Sequence, residues 1–330
     1  MQLVLDTKGI ELGVKDKVFF IQSPSKSRKI SPKKVTSIAV TAYCKFTSTA
    51  VMLAVDHQIP ILFFNYIGKA KAKMWSPFFQ NLATLRRRQI LFANTLECTV
   101  WFLELYKLKT EHYVKNLEWL KLKFKSQAKE IDNSIRLMKR YNKEFDDLES
   151  QLLAECRQQL MAIEGKIARR YWSTLGKLLP EPYGFEKRSR RPAKDIFNAA
   201  LNYLYGMTYT VVEGSLLSAG LDPHLGFVHA DQYQKSVLAF DMIEPFRPWI
   251  DRLLIEECLE GKLTKKHFTG NQHGLHLNKH GKALIIPMFN LFLTKSRNFL
   301  QLETSNKNHI YQYAGYLVKK IKTHEFEQKF

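Results

Sequence analysis

Four side chains in this sequence have the chemistry of a metal-assisted reaction: Glu164, His229, Asp241 and Glu244. Carboxylates with an imidazole suit Mn²⁺, and Mg²⁺ acceptably, leaving the remaining coordination positions to water and phosphate oxygens. Such an ion polarises a phosphodiester and lowers the pKa of an attacking hydroxyl or water. A plainer reading competes at each position. A lone histidine in Leu225-Gly226-Phe227-Val228-His229 is more often structural, and Asp241-Met242-Ile243-Glu244 fits a capping box, with acid at N-cap and glutamate at N3. By spacing alone the cap is favoured, and spacing cannot show that Glu164 and Glu244 meet.

The elements that would carry these groups are legible. At helical periodicity Leu153, Leu160, Met161, Glu164, Ile167, Ala168 and Tyr171 share one stripe. A carboxylate on that apolar face is costly unless paired, so Glu164 is expected either to pair with Arg157 or Lys166 or to meet an ion. Gly165 beside it lowers helix stability and permits close approach of another backbone. Asp195 is placed to cap a long helix that Gly220 ends, with Pro223 beyond. Asn198 and Asn202, spaced i and i+4 on it, satisfy each other or nearby backbone, or orient a ligand. The preceding stretch, Pro180 to Pro192, reads as a loop whose Arg188, Arg190 and Arg191 can contact phosphates. Pro245 suits a first helical turn, and Phe246, Trp249, Ile250, Leu253 and Leu254 follow at helical spacing.

The chain as a whole sets the partner. With 51 Lys and Arg against 31 Asp and Glu, its 330 residues carry a formal charge of +20, which points to a polyanion. Hydrophobic residues make up 45% of it, as in a globular protein, and the length suits two domains. Cys44, Cys98, Cys156 and Cys258 lack C-x-x-C spacing and read as reduced thiols of a cytoplasmic protein. The N-terminus lacks a signal-peptide pattern, and the longest apolar stretch, 38–64, is interrupted by Lys45, Asp56, His57 and Pro60, so no membrane segment is expected. The polyanion is therefore nucleic acid.

Residues 1–80 read as a β-rich domain with one helix over Ser48 to Asp56, and residues 81–330 as a larger all-helical catalytic domain, an α+β chain overall. Strands are expected at Leu3 to Leu5, Ile10 to Val14, Val18 to Ile21, Val35 to Val40 and Ile59 to Phe64. The basic stretch Ser23 to Lys34 is expected to be a solvated loop. In the second domain Arg86, Arg87 and Arg88 open a helix, and another runs from Trp101 to Lys129. The segment 262–282, with His267, His273, His276 and His280, reads as a solvated loop.

Four motifs then occur in order: EGKIARRYW (Glu164 to Trp172), NAALNYLYG (Asn198 to Gly206), AGLDPHLGFVH (Ala219 to His229) and LAFDMIEPFRPWIDR (Leu238 to Arg252). Together with IPILFFNYIGKAKAKM in the N-terminal half, they resemble the CRISPR adaptation endonuclease/integrase family, the first-numbered Cas proteins. The resemblance implies that Glu164, His229 and Glu244 hold Mn²⁺ or Mg²⁺ and that Asp241 supports them. It implies a homodimer formed through the β-domains, a small ferredoxin-like partner protein, and double-stranded DNA substrates, namely a spacer precursor and the CRISPR repeat. Arg188, Arg190, Arg191 and Arg247 would position DNA backbone. The activity implied is transfer of the 3′-hydroxyls of a short duplex to the repeat. A stand-alone nuclease using the same ion, and a non-catalytic DNA-binding scaffold, are the alternatives. The sequence departs from the family between His229 and Leu238, where the family's usual glycine-arginine pair is replaced by ADQYQKSV, with Lys235 as its one cation.

Overall fold

Alternation of apolar and polar residues gives the N-terminal half its strands. The computed structural model describes residues 2–23, 27–35, 37–57, 59–64, 70–74, 82–190, 192–229, 235–271 and 274–325. The chain divides into two units, Met1–Ala83 and Thr84–Phe330, against an expected division at 80/81.

The first unit runs β1 (Gln2–Leu5), β2 (Ile10–Lys15), β3 (Val18–Gln22), β4 (Ser27–Ile30), β5 (Ser37–Val40), β6 (Cys44–Phe46), α1 (Ser48–Asp56), β7 (Ile61–Phe64) and β8 (Ala70–Met74). Two four-stranded sheets result, in the orders β1-β5-β7-β8 and β4-β3-β2-β6. Strands β1, β5 and β7 are parallel and β8 is antiparallel. The β2–β3 hairpin turns through Asp16 and Lys17, both at positive φ, the backbone that matches strand twist in a two-residue loop. Leu3, Leu5, Leu12, Phe19, Ile38 and Ile61 pack with Ala50 and Ala54 of α1 in one core. The expected basic loop is corrected in part. Ile30 is buried opposite Phe19, which draws Ser27–Ile30 into the sheet as an edge strand. Arg28 and Lys29 stay exposed on that edge, where charge discourages pairing with another chain. Residues 24–26, and the parts of the IPILFFNYIGKAKAKM motif at 65–69, lie outside the described residues.

The second unit comprises α2 (Leu82–Phe92), α3 (Leu96–Lys123), α4 (Ala128–Lys143), α5 (Leu153–Gly176), α6 (Ile196–Ala219), α7 (Val237–Met242), α8 (Arg247–Leu259), β9 (Phe268–Asn271), β10 (Gly274–Leu277), α9 (Lys279–Thr294), β11 (Ser296–Phe299), β12 (Leu302–Ser305) and α10 (Asn306–Thr323). It is mostly helical, with two antiparallel hairpins, β9–β10 and β11–β12, that the sequence reading did not anticipate. The first hairpin and the start of α9 replace the loop expected over the histidine-rich segment; His273 lies outside the described residues. The expected helix to Lys129 breaks at Phe124, whose φ of −114° leaves the helical region. Thr95 caps α3 through the Cys98 N–H, and Asp195 caps α6 through the Asn198 N–H at 2.7 Å. Gly220, at φ 87°, closes α6 in the left-handed conformation. Helix α2 starts at Leu82, so Arg86, Arg87 and Arg88 lie within it instead of opening it, and Arg88 donates to the carbonyls of Ile321, Lys322 and His324, satisfying the last turn of α10. Phe102, Leu117, Leu160, Tyr171, Phe197 and Ile250 bring α3, α5, α6 and α8 into one core. Among the described residues no helix is long and apolar enough to cross a membrane.

Candidate catalytic centre

Tyr106, Lys109 and Tyr113 recur at helical spacing along α3, so they project from one face. The Lys109 side chain is 5% exposed, and an ammonium that deeply buried requires anionic partners. It has two. Its Nζ lies 2.5 Å from Glu164 Oε1 on α5 and 2.5 Å from Glu244 Oε2 in the turn between α7 and α8. Burial works against the charge, but the two glutamates outweigh it and hold the ammonium well above the ordinary lysine range. The rings of Tyr106 and Tyr113 lie 5.8 and 5.5 Å from the same nitrogen.

Glu244 has a second cation. Arg247 Nε donates to Glu244 Oε1 at 2.8 Å, while its other end donates to the Tyr209 hydroxyl and the guanidinium lies 4.7 Å from the Tyr205 ring centre. Burial resists the charge on Glu244, yet Arg247 and Lys109 together push its carboxyl down to about 2. Arg247 is thus buried and committed to Glu244. Its expected part as a DNA-backbone contact is not what this geometry emphasises: Nε and one terminal nitrogen are engaged inside the protein, while the side chain also lines the cavity that holds Glu164 and His229. Glu164 is 27% exposed at the rim of the core, and its partner is neither Arg157 nor Lys166; Lys166 pairs with Glu144 instead.

His229 is held by Asp241. The carboxylate is fully buried at the end of α7 and lies 2.6 Å from His229 Nδ1. It also accepts the backbone N–H groups of Phe227, Val228 and His229, at 2.8, 3.1 and 3.0 Å. With Nδ1 engaged, Nε2 is the ring nitrogen left to serve as a ligand. The turn that carries His229 closes tightly: a Cβ on Gly226 would stand 2.6 Å from the His229 carbonyl oxygen and 2.9 Å from Val237. The capping-box reading is corrected here. Helix α7, the short turn Glu244–Phe246 and α8 follow one another with helical backbone at Ile243 and Phe246, so no open N-terminus remains for Asp241 to cap.

Glu164, His229, Glu244 and Lys109 line one cavity of about 750 Å³. Its wall also carries Arg169, Lys187, Arg188 and Arg190. Arg188 is fastened there, donating to Asn198 Oδ1 at 2.8 Å and Asn202 Oδ1 at 2.6 Å, which answers what the two asparagines are for. Arg191 lies outside the described residues. Tyr205, also on the wall, donates to Asp251 Oδ1 at 2.5 Å, and burial pushes the Asp251 carboxyl up to about 7. Neither Lys109 nor Asp251 was singled out by sequence. The signal for Lys109 was present: with Phe102, Leu105, Tyr106 and Tyr113 it falls on the apolar stripe of α3, where a lysine needs a reason.

Two carboxylates and an imidazole are the right donor types for a hard divalent ion, and the Lys109 ammonium marks where positive charge is accommodated between the carboxylates. As the side chains stand, no three His, Cys, Asp or Glu among the described residues gather closely enough to hold an ion. The pair Glu164–Glu244 is assembled, with His229 on the wall of the same cavity.

This arrangement, a sheet-built unit followed by a helical one, is shared with solved structures. A CAS1 protein from Thermotoga maritima is similar over the whole of both chains, with a TM-score of 0.70 and 23% identity. A casposase bound to integration product is similar over 99% of this chain and 94% of its own, with a TM-score of 0.67 and 22% identity. Among curated proteins, the CRISPR-associated endonuclease Cas1 1 of Archaeoglobus fulgidus is 29% identical over 267 residues, 77% of each chain. The CRISPR-associated endonuclease Cas1 2 of Saccharolobus solfataricus is 28% identical over 259 residues, 78% of this chain and 76% of its own. The class is therefore that of CRISPR nuclease and integrase enzymes. The family pattern described as CRISPR associated protein Cas1 matches residues 3–290, and the chain belongs to that family.

Proposed function

We propose that this protein is a metal-dependent DNA integrase of CRISPR adaptation, which joins the 3′-hydroxyls of a short duplex to phosphodiesters of the repeat. The observation that carries the reading is the meeting of Glu164 and Glu244 on one buried nitrogen, in a cavity shared with His229 and walled by cations. In the reading, Glu164, His229 and Glu244 hold Mn²⁺ or Mg²⁺. When bound, the ion supplies Lewis-acid polarisation of the phosphodiester and stabilises charge on the attacking and leaving oxygens.

The protein's own groups do the rest. Asp241 fixes the ring and tautomer of His229, and Arg247 fixes Glu244. Arg190, with Arg191 as its neighbour in sequence, meets the DNA backbone and carries no base readout. Arg188, tied to Asn198 and Asn202, holds the shape of that wall. Homodimerisation through the β-rich unit and binding of a small ferredoxin-like partner belong to the same proposal. The similarity in fold to a casposase on its integration product, and to a chain of a partial Cas6-RT-Cas1–Cas2 complex, is in keeping with strand transfer and with such a partner.

The test is Mn²⁺-dependent strand transfer on a repeat-bearing duplex. Glu164→Ala and His229→Ala should each abolish joined products, and wild-type rates in both would overturn the proposal. Joined strands distinguish transfer from simple hydrolysis, which leaves only fragments.

A further inference from the structure

The proposed chemistry does not use Lys109, yet its position bears directly on metal loading. Its nitrogen is 2.5 Å from an oxygen of each glutamate, so the space between the carboxylates is already filled by a cation. A divalent ion bonds its oxygen ligands at roughly 2.0–2.6 Å. An ion bound to these same two oxygens would lie almost against the ammonium, and like charges that close repel strongly at low dielectric. The two cannot share the pair in this geometry. We propose that Lys109 is a built-in counter-cation of the Glu164–Glu244 pair that competes with the divalent ion, keeping the carboxylates together before loading and setting the concentration of metal needed to displace it.

Three features favour this over an ordinary structural ion pair. Lys109 faces two acids, whereas one would satisfy its charge. Both acids come from elements remote in sequence and are the two carboxylates that the metal reading requires. Arg247 already neutralises Glu244 from its other oxygen, so Lys109 is needed chiefly because Glu164 and Glu244 are brought together. Without any cation between them, two carboxylates so close would repel each other.

The inference rests on the metal reading, and the experiment separates the two. Mn²⁺ affinity is measured by calorimetry, and by the loss of the free-ion paramagnetic signal, on the full chain as wild type, Lys109→Met, Lys109→Gln and Glu164→Ala. The expected result is binding at least tenfold tighter in both Lys109 variants than in the wild type, and loss of binding in Glu164→Ala. The Lys109 variants should also melt lower than wild type without metal and gain more on adding it, because the ion then relieves an unneutralised pair. Equal or weaker affinity in the Lys109 variants, with binding still lost in Glu164→Ala, overturns the role of Lys109 and leaves the metal reading standing. Binding that is the same in all four proteins overturns the metal reading itself. If the Lys109 variants do not fold, a crystal structure of the Mn²⁺-loaded wild type decides. Nζ should have left hydrogen-bond reach of at least one glutamate, and an ion on both carboxylates with Lys109 still bridging them overturns the inference.

Discussion

His229 and Asp241 are joined twice: the Asp241 carboxylate lies 2.6 Å from the imidazole Nδ1 and also accepts the His229 backbone N–H at 3.0 Å. One buried acid therefore fixes both the position of the residue and the orientation of its ring. Replacing it with asparagine keeps the size but puts an amide N–H₂ where an oxygen accepted, against backbone donors or the ring. Asp241→Asn should lower strand transfer by about 10–100-fold, the usual cost of losing a group that orients a ligand. It should also lower the melting temperature by several degrees. Single-turnover assays and thermal melts read the two effects, and a fully active variant would show that the ring needs no such hold.

Gly226 leaves the space in which the turn holding that pair closes. A methyl group there meets the His229 carbonyl at 2.6 Å, and backbone cannot yield as a flexible side chain can. Gly226→Ala should therefore shift the His229 turn, lowering activity by roughly tenfold or more and destabilising the fold by about 1–3 kcal/mol. Strand transfer and denaturant melts on the same preparation check it. Gly206, where an added Cβ meets nothing within 4 Å, provides the control: Gly206→Ala should be neutral or slightly stabilising.

Asp251 makes stability depend on pH with a defined sign. Its carboxyl sits near 3.8 in the unfolded chain, and burial raises it to about 7 in the fold. Between these values the native state keeps a proton that the unfolded chain has released, so this group's contribution falls as pH rises and is lost above about 7. Asp251→Asn retains an acceptor for the Tyr205 hydroxyl and removes that dependence. Wild type and variant should melt alike near pH 4, and the variant should be more stable by a few degrees at pH 8. A gap that narrows toward high pH would contradict the assignment.

The cavity wall separates binding from scaffolding. Arg190 lines the cavity and is proposed to meet phosphate, so Arg190→Ala should weaken DNA binding about equally on all sequences and reduce the slope of log affinity against log salt by about 1. Asn198 accepts from Arg188 and from the Ser189 N–H, and donates to the Lys187 carbonyl and Asp195. Asn198→Ala leaves several of these groups without partners. It should cost on the order of 1–3 kcal/mol of stability with a smaller effect on the salt slope. Fluorescence anisotropy over a salt series distinguishes the two.

What could be read from sequence followed periodicity and end signals. Helix α1 has the expected span, and Asp195 and Gly220 bound α6 as expected, because capping and left-handed closure are local chemistry. Ser27–Ile30 could not be placed from its own residues. One buried isoleucine among basic neighbours becomes strand only when β3 lies beside it. Asp241 misled for a related reason: its spacing to Glu244 is that of a cap, but burial against the 227–229 backbone, decided by tertiary packing, gives it other donors. Glu164 was recognised as a carboxylate on a mainly apolar stripe, while its partner stayed hidden among the many lysines of α3. Periodicity says which face a residue lies on and is silent about what stands opposite.

The bond from Arg88 to the His324 carbonyl spans 236 positions, whereas α3, α4 and α5 pack against neighbours in sequence. Closing so long a loop carries an entropic cost that local hairpins avoid, so the α3–α5 layer is expected to form early and the Arg88 clamp late. Glu164 and Lys109 belong to the early layer, and Glu244 arrives with α8. During synthesis on the ribosome, the nascent chain therefore shows half of the centre to solvent well before the clamp can close the unit. Every described side chain that lines the cavity lies between Tyr106 and Arg247, so the centre is expected to be completed by α8 before α10 has emerged.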